Sequence, residues 1–416
     1  MTHSSMAPPG PRTWARSDDF GTRTAQVFPR FDTQAIAHRP DEVADVLQHV
    51  QDATDRGRWA FGFVAYEAAP GLDPTLPVAG DGGTEPARSS LPLVWFGISA
   101  EPPRPTALVA RRGNYRTGPW TSQWSQDAYE AAFTRVKDAI AAGRTYQCNL
   151  TTALTAPFAG DAQSFYADLA HAQLSRYCAY VDCGSHVIAS ASPELFFEWG
   201  AGQLSTKPMK GTALRRHTDG EDSQALHNLL SSAKERAENV IIVDLLRNDL
   251  AKIATVGSVR VRALLTPEAY PTVWQLTSHI TAQPAPFTSL VDVMRALFPC
   301  GSVTGAPKAE TMGIIRDLEE RRRDIYCGAI GWVAPPTEPV RARFSVAIRT
   351  AHVDRSTGTC EYGVGSGITW GSNASAEFDE MLAKSRILAN GKAVRERMPA
   401  TAHVEHRRRP STAKLH

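Results

Sequence analysis

The chain of 416 residues has only six cysteines and no C-x-x-C pair among them, which excludes a zinc ribbon or a disulfide scaffold of the usual spacings. Free thiols in a cytoplasmic protein are expected instead. Long apolar runs are also missing: the greasiest segments, WAFGFVAY and NVIIVDLL, fall far short of the roughly 20 residues a membrane-spanning helix needs. The N-terminal MTHSSMAPPGPRTW has no basic stretch followed by an apolar one, so no secretory signal is expected. Charge of one sign is scarce as well. The 45 Lys and Arg face 43 Asp and Glu, a formal charge of +2, which gives no footprint for a nucleic acid or a membrane surface. Walker A and G-x-G-x-x-G fingerprints are absent, and no internal repeat is visible. What is present is ordinary globular composition, 42% hydrophobic and 21% charged with 30 Gly and 28 Pro, in a length that calls for a composite fold.

Composition divides the chain. Residues 1–12 are rich in Pro and Ser and read as a disordered N-terminus. Residues 13–115 read as an N-terminal subdomain, mixing strand-like runs with the amphipathic helix DEVADVLQHVQDATDRG and interrupted by the exposed loop PVAGDGGTEPARSS. Residues 120–392 form the main unit. Its first helix, SQDAYEAAFTRVKDAIAAG, stops at Gly143, and the strand TYQCNLTTAL follows. RYCAYVDCG, HVIASASPELFFEWG and QLSTKPMKGTAL read as further strands, SAKERAENVIIVDLLRNDL and AETMGIIRDLEERRRD as helices. The clustered hairpin signals predict an antiparallel α+β layout. Residues 396–416 are basic without apolar periodicity, the pattern of a solvated disordered tail.

Four stretches carry chemistry. Two helical segments, KERAEN and AEFDEMLAK, each bear Glu at i and i+3: Glu235 with Glu238, and Glu377 with Glu380. That spacing puts each pair on one helix face, and two such faces meeting would form an oxygen-only pocket for Mg2+; spacing alone is more often the pattern of two solvated faces. EYGVGSGITWG alternates Gly363, Gly365 and Gly367 around Ser366, a backbone that can turn N–H groups toward an anion or simply pack closely. FPCGSVTGAPKAETMGII feeds a helix through Pro307, leaving free N–H groups at its start, as any helix cap does. SPELFFEWGAGQLSTKPMKGTALRR places Glu194 and Lys210 on hairpin-connected strands, as a general acid and an amine nucleophile would need.

Taken together and in this order, the segments resemble the chorismate-utilising enzymes: anthranilate synthase component I, aminodeoxychorismate synthase component I, and the isochorismate and salicylate synthases. From about residue 120 to 390 the likeness rests on TYQCNLT, SPELFF, KPMKGT, KERAENVIIVDLLRNDL, GSVTGAPK, YCGAIGW, FSVAIRT, GVGSGI and EFDEMLAKS; GFVAYEAAPGLD and PLVWFG extend it more loosely. The resemblance implies an α+β fold of two facing antiparallel β-sheets flanked by helices, with chorismate and Mg2+ in a cleft. It makes Glu238 and Glu380 the principal Mg2+ ligands, helped through water by Glu235 and Glu377. It puts Arg349 and Tyr326 on a chorismate carboxylate, assisted by the backbone from Gly365 through Ser366 to Gly367. Thr212, Thr304 and Lys384 fall at binding positions, and Glu194 matches the acid that assists loss of the C4 hydroxyl.

Two positions separate the branches. Water-adding members carry a Lys base where this chain has Gln147, which disfavours isochorismate chemistry. Anthranilate synthases typically read P-I-A-G-T where this chain reads P-M-K-G-T, and Lys210 at the third position resembles aminodeoxychorismate synthase. An amine there can add at C2 of chorismate as the C4 hydroxyl leaves, after which ammonia adds at C4 and expels it. Gln275 stands in a strand where family members often have a His that is tied to pyruvate elimination. The expectation is a chorismate-aminating subunit acting toward p-aminobenzoate and folate, with anthranilate synthase component I or a non-catalytic chorismate-binding subunit as alternatives. No glutamine amidotransferase segment or lyase is recognisable, so a separate glutamine amidotransferase subunit is expected to supply ammonia, and neither nucleic acid nor membrane is an expected partner.

Overall fold

Strand segments of this chain come in two kinds, continuous apolar runs and alternating ones, which correspond to burial on both faces or on one. In the computed structural model, which describes residues 13–80, 91–216, 218–270 and 273–390, the strand Gln147–Gly160 shows both. Its first eight positions are buried, and it then alternates out to the surface. The expected ends at 1–12 and 396–416 and most of the loop at 77–90 lie outside the described residues.

Among the described residues the strands form two antiparallel sheets, one of 11 strands and one of 10. The longest pairing joins Thr359–Thr369 to Gln147–Gly160 in continuous register from Thr359↔Pro157 to Thr369↔Gln147. The sheets face each other across Phe28, Phe61, Phe63, Trp95, Val181, Ile188 and Ile330, drawn from both. Helices cover the outer faces. Val43–Asp55 buries Val43, Leu47, Val50 and Ala53 at helical spacing, and Gln126–Ala141 starts at Ser125, whose Oγ accepts from the Ala128 N–H at 3.2 Å. The α+β architecture of two sheets with flanking helices is as expected.

One boundary is not. Trp14–Asp19, Thr24–Phe28 and Arg104–Thr106 extend the larger sheet, while Thr33–Ala37, Trp59–Val64 and Val94–Ser99 extend the other. Residues 13–115 therefore contribute edges to both sheets and share their cores instead of forming a subdomain of their own. The reason is pairing: Trp59–Val64 lies between Ala329–Val333 and Val94–Ser99, so its backbone groups are satisfied only by strands from both ends of the sequence.

A buried ion pair locks that union. The Arg323 guanidinium, 1% exposed, donates to both oxygens of Glu319 at 2.9 and 2.7 Å, to the Val303 carbonyl at 2.9 Å and to the Asn149 carbonyl at 2.7 Å. Its backbone N–H and that of Asp324 donate to the carboxyl of Glu67, at 2.6 and 2.9 Å, and the Tyr66 ring lies 4.8 Å from the guanidinium carbon. Burial, with the nearby Asp324 charge, pushes the Glu67 carboxyl up to about 8. All six cysteines are free thiols, and among the described residues no helix is long and apolar enough to cross a membrane.

Replacing one partner of such a pair leaves the other charged and buried. Arg323→Met is expected to cost about 3–5 kcal/mol in urea denaturation, because the Glu319 carboxylate stays buried without its countercharge, keeping only the Thr151 N–H and hydroxyl as donors. A loss below about 1 kcal/mol would mean that the network contributes little.

Candidate active site

The ends of several elements open on one cleft between the sheets and two helices. One helix, Ala233–Ala251, begins at Ser232, whose Oγ accepts from the Glu235 N–H at 3.3 Å; the other, Ala374–Lys384, begins at Asn373. Each carries its glutamates three residues apart, on one face, and Glu235, Glu238, Glu377 and Glu380 all line the cleft. The two solvated faces that spacing alone allowed are thereby excluded for Glu238 and Glu377, which are 6% and 2% exposed.

Like charges crowd here. Burial, then the neighbouring Glu238, Glu380 and Glu377, push the Glu235 carboxyl up to about 7; burial also raises that of Glu238 against the pull of Lys210 and Lys234. Lys384 holds Glu380 below the usual carboxylate range from 2.9 Å. Lys234 reaches Glu377 at 2.7 Å and Glu238 at 3.7 Å. As these side chains stand, no three His, Cys, Asp or Glu among the described residues enclose a metal position. The donor set nevertheless fits a hard divalent cation: four carboxylates on two helix faces, two of them raised by burial and then by their neighbours' charge.

The opposite wall is the strand Thr359–Thr369, where side chains alternate between faces. Gly363, Gly365 and Gly367 border the cleft. A Cβ on Gly363 would lie 2.1 Å from the Tyr326 ring, so only glycine lets that ring rest on the strand. Arg349, at φ +53°, and Lys384 complete this end: Arg349 Nη1 donates to the Lys384 carbonyl at 3.1 Å, and Lys384 Nζ to the Gly365 carbonyl at 2.8 Å. Arg349, Tyr326 and Lys384 thus all line the cleft, three residues able to donate to an anion.

At the other end lie the acid and the amine. Ser302 Oγ donates to Glu194 Oε1 at 2.6 Å, while Lys210 Nζ donates to the Ser302 carbonyl at 2.9 Å. Burial pushes the Glu194 carboxyl up to about 7, with the Ser302 hydroxyl and the Lys210 charge pulling the other way. Gln147 is fully buried, and neither its oxygen nor its nitrogen has a partner among the described residues. A Cβ on Gly367 would lie 3.2 Å from both Gln147 Nε2 and Lys210 Nζ, which brings the amide and the amine to one spot. Thr212 lines the cleft and accepts from Gln275 Nε2 at 3.2 Å.

Two expected residues face elsewhere. Ser366, between the glycines, points to the opposite face by strand alternation and pairs with the Tyr129 hydroxyl at 3.0 Å. Thr304 turns its hydroxyl back onto the Cys300 carbonyl at 3.1 Å and lines no part of the cleft. Nor does the start of the helix Lys308–Glu319 reach it, since Lys308 pairs with Asp249 at 2.9 Å. Sequence reasoning missed Lys234, Ser302 and Asn149. All three sit inside segments already singled out, and nothing in their spacing distinguished them from neighbours.

The profile of the chorismate binding enzyme family matches residues 10–390. Aminodeoxychorismate synthase component 1 of Escherichia coli K12 is 37% identical over 273 residues, 65% of this chain and 59% of its own length. Anthranilate synthase component 1 of Aquifex aeolicus is 34% identical over 270 residues, 65% of this chain and 53% of its own. The chain thus spans less than two thirds of either relative. The crystal structure of anthranilate synthase component I from Streptococcus pneumoniae shares the fold, with a TM-score of 0.69 at 21% identity over 93% of this chain and 94% of that one.

Glu194 yields a prediction of sign. A free carboxyl titrates near 4.5 and this one near 7, so between those values the folded protein keeps a proton that the unfolded chain has released. Its contribution to stability therefore falls as pH rises from 4.5 to 7 and is level above that. Glu194→Gln has no such proton. Urea denaturation across this range should show the stability gap moving in favour of the variant by on the order of 3 kcal/mol and then holding constant. A gap independent of pH would refute the shift.

Proposed function

Because the chain belongs to the chorismate binding enzyme family, we propose that it binds chorismate in this cleft and replaces the C4 hydroxyl with ammonia, as the aminating component of a 4-amino-4-deoxychorismate synthase. The observation that carries this reading is the joining of Lys210 and Glu194 through Ser302, which sets an amine and a protonatable carboxyl at one end of a cleft whose other end gathers anion donors.

Arg349, Tyr326 and Lys384 hold a carboxylate of the substrate and fix the ring. With its carboxyl pushed up to about 7, Glu194 can carry a proton near neutral pH and pass it to the departing C4 hydroxyl, which leaves as water. The Lys210 amine adds through its nitrogen lone pair at C2 as the C4–O bond breaks and both ring double bonds shift by one position; ammonia then adds at C4 and loses a proton to solvent, both double bonds shift back and the amine is expelled. The neutral amide of Gln147 beside Lys210 offers no base to activate water, which supports amination over hydration. Lys210 in P-M-K-G-T supports the aminodeoxychorismate branch over anthranilate formation. Glu235, Glu238, Glu377 and Glu380 would hold Mg2+, which when bound supplies a positive charge to a carboxylate of the substrate.

The ammonia comes, in this reading, from a separate glutamine amidotransferase subunit in the cytoplasm. Burial pushes the thiols of Cys148, Cys178, Cys183, Cys300 and Cys327 up to about 12 and raises that of Cys360 as well. None is poised as the thiolate that glutamine hydrolysis requires. The product, an aminated chorismate that keeps its enolpyruvyl group, would need another enzyme to become p-aminobenzoate.

Mass identification of the product from chorismate, ammonium and Mg2+ tests the assignment: aminodeoxychorismate is expected, and anthranilate or isochorismate would overturn it. With ammonium as donor, Lys210→Ala is expected to lower kcat by about 100-fold or more, since the two-step path is lost. An unchanged kcat with a raised KM would reduce Lys210 to an electrostatic anchor.

A further inference from the structure

Lys234 lies at the centre of the carboxylate cluster, and the reaction described above gives it no task. Its Nζ is 2.7 Å from Glu377 Oε1 and 3.7 Å from Glu238 Oε1, so one ammonium ties the helix Ala233–Ala251 to the helix Ala374–Lys384. The two carboxylates it touches are almost wholly buried, at 3% and 8% side-chain exposure, while Lys234 itself keeps 34%. The same oxygens are held from behind by hydroxyls, Ser372 Oγ donating to Glu377 Oε1 at 2.7 Å and Thr369 Oγ1 to Glu238 Oε1 at 3.2 Å. The carboxylates are thus fixed in place, and the cation between them is a flexible side chain with a way out to water.

Resting on the metal reading above, we propose that Lys234 is a resident counter-ion that occupies the metal position's charge until a divalent cation displaces it. A divalent ion held by Glu238 and Glu380, with Glu377 helping through water, would lie within a few ångströms of the ammonium that touches Glu238 and Glu377, where like charges repel strongly at a partly dry site. The four-carbon stem lets the ammonium swing toward solvent, and its compact charge is readily hydrated there. Lys384 differs, because it is also anchored to the Gly365 carbonyl. Two consequences follow. The metal-free protein keeps its two helices joined. A monovalent ion gains no charge by displacing a lysine, whereas a divalent one does, so the exchange favours Mg2+ over Na+ or K+.

The test is calorimetric titration of Mg2+ into the full chain without substrate, alongside thermal denaturation with and without Mg2+. Lys234→Met removes the competitor, and Mg2+ is expected to bind about fivefold tighter or more. Its metal-free melting temperature should fall, and added Mg2+ should raise that temperature further than it does in the wild type. Lys234→Gln, which keeps a donor for Glu377 without the charge, should show the same tightening and serves if the Met variant does not fold. Equal or weaker Mg2+ binding in a folded variant overturns the inference while leaving the metal reading intact. A wild-type chain that takes up no Mg2+ overturns both.

Discussion

One fully buried charge organises this protein. A guanidinium removed from water is tolerable only if nearly all of its donors are met, and Arg323 meets them with Glu319 on a helix, Val303 on a turn and Asn149 on the longest strand. Asn149, Val303 and, three residues on, Tyr326 all border the cleft. The backbone of the same arginine is gripped by Glu67, from the N-terminal part of the chain. Satisfying one ion therefore fixes the floor of the site and ties it to a segment more than 250 residues away, so the N-terminal strands belong to the site's support rather than to an appended unit.

The rest of the site follows from how strands and helices present side chains. Alternation along Thr359–Thr369 gives one face to glycines and the other to Tyr362, Val364, Ser366 and Ile368, of which Tyr362, Val364 and Ile368 pack in the core. The glycine face makes room for the Tyr326 ring and for the meeting of Gln147 with Lys210. Helical spacing brings the glutamates to the opposite side in pairs. Between these walls the charges are sorted by position: carboxylates beside Lys234, anion donors at Arg349 and Lys384, and the acid and amine about Ser302. The burial and crowding that raise Glu235 and Glu238 are a cost the protein retains, which is the usual mark of a site kept for chemistry.

The sequence by itself determined a good deal. Apolar periodicity placed the helices at Val43–Asp55 and Gln126–Ala141, since a stripe at 3.6-residue spacing has one way to be buried. It also determined the antiparallel α+β class through clustered hairpins, and the residue types of the site, because oxygen donors three apart and a lysine in P-M-K-G-T are local facts. What only the tertiary structure decided is which of those residues meet. Ser366 and the glycines beside it look equivalent in sequence, yet the face of the strand that packs against the helix Gln126–Ala141 turns its hydroxyl away from the cleft. Ser302 and Lys234 carry no pattern of their own; they matter because a turn and a helix start arrive beside Glu194 and Glu377 from 108 and 143 residues away. Local spacing sets faces, but long-range pairing and the need to satisfy buried charge set which faces come together.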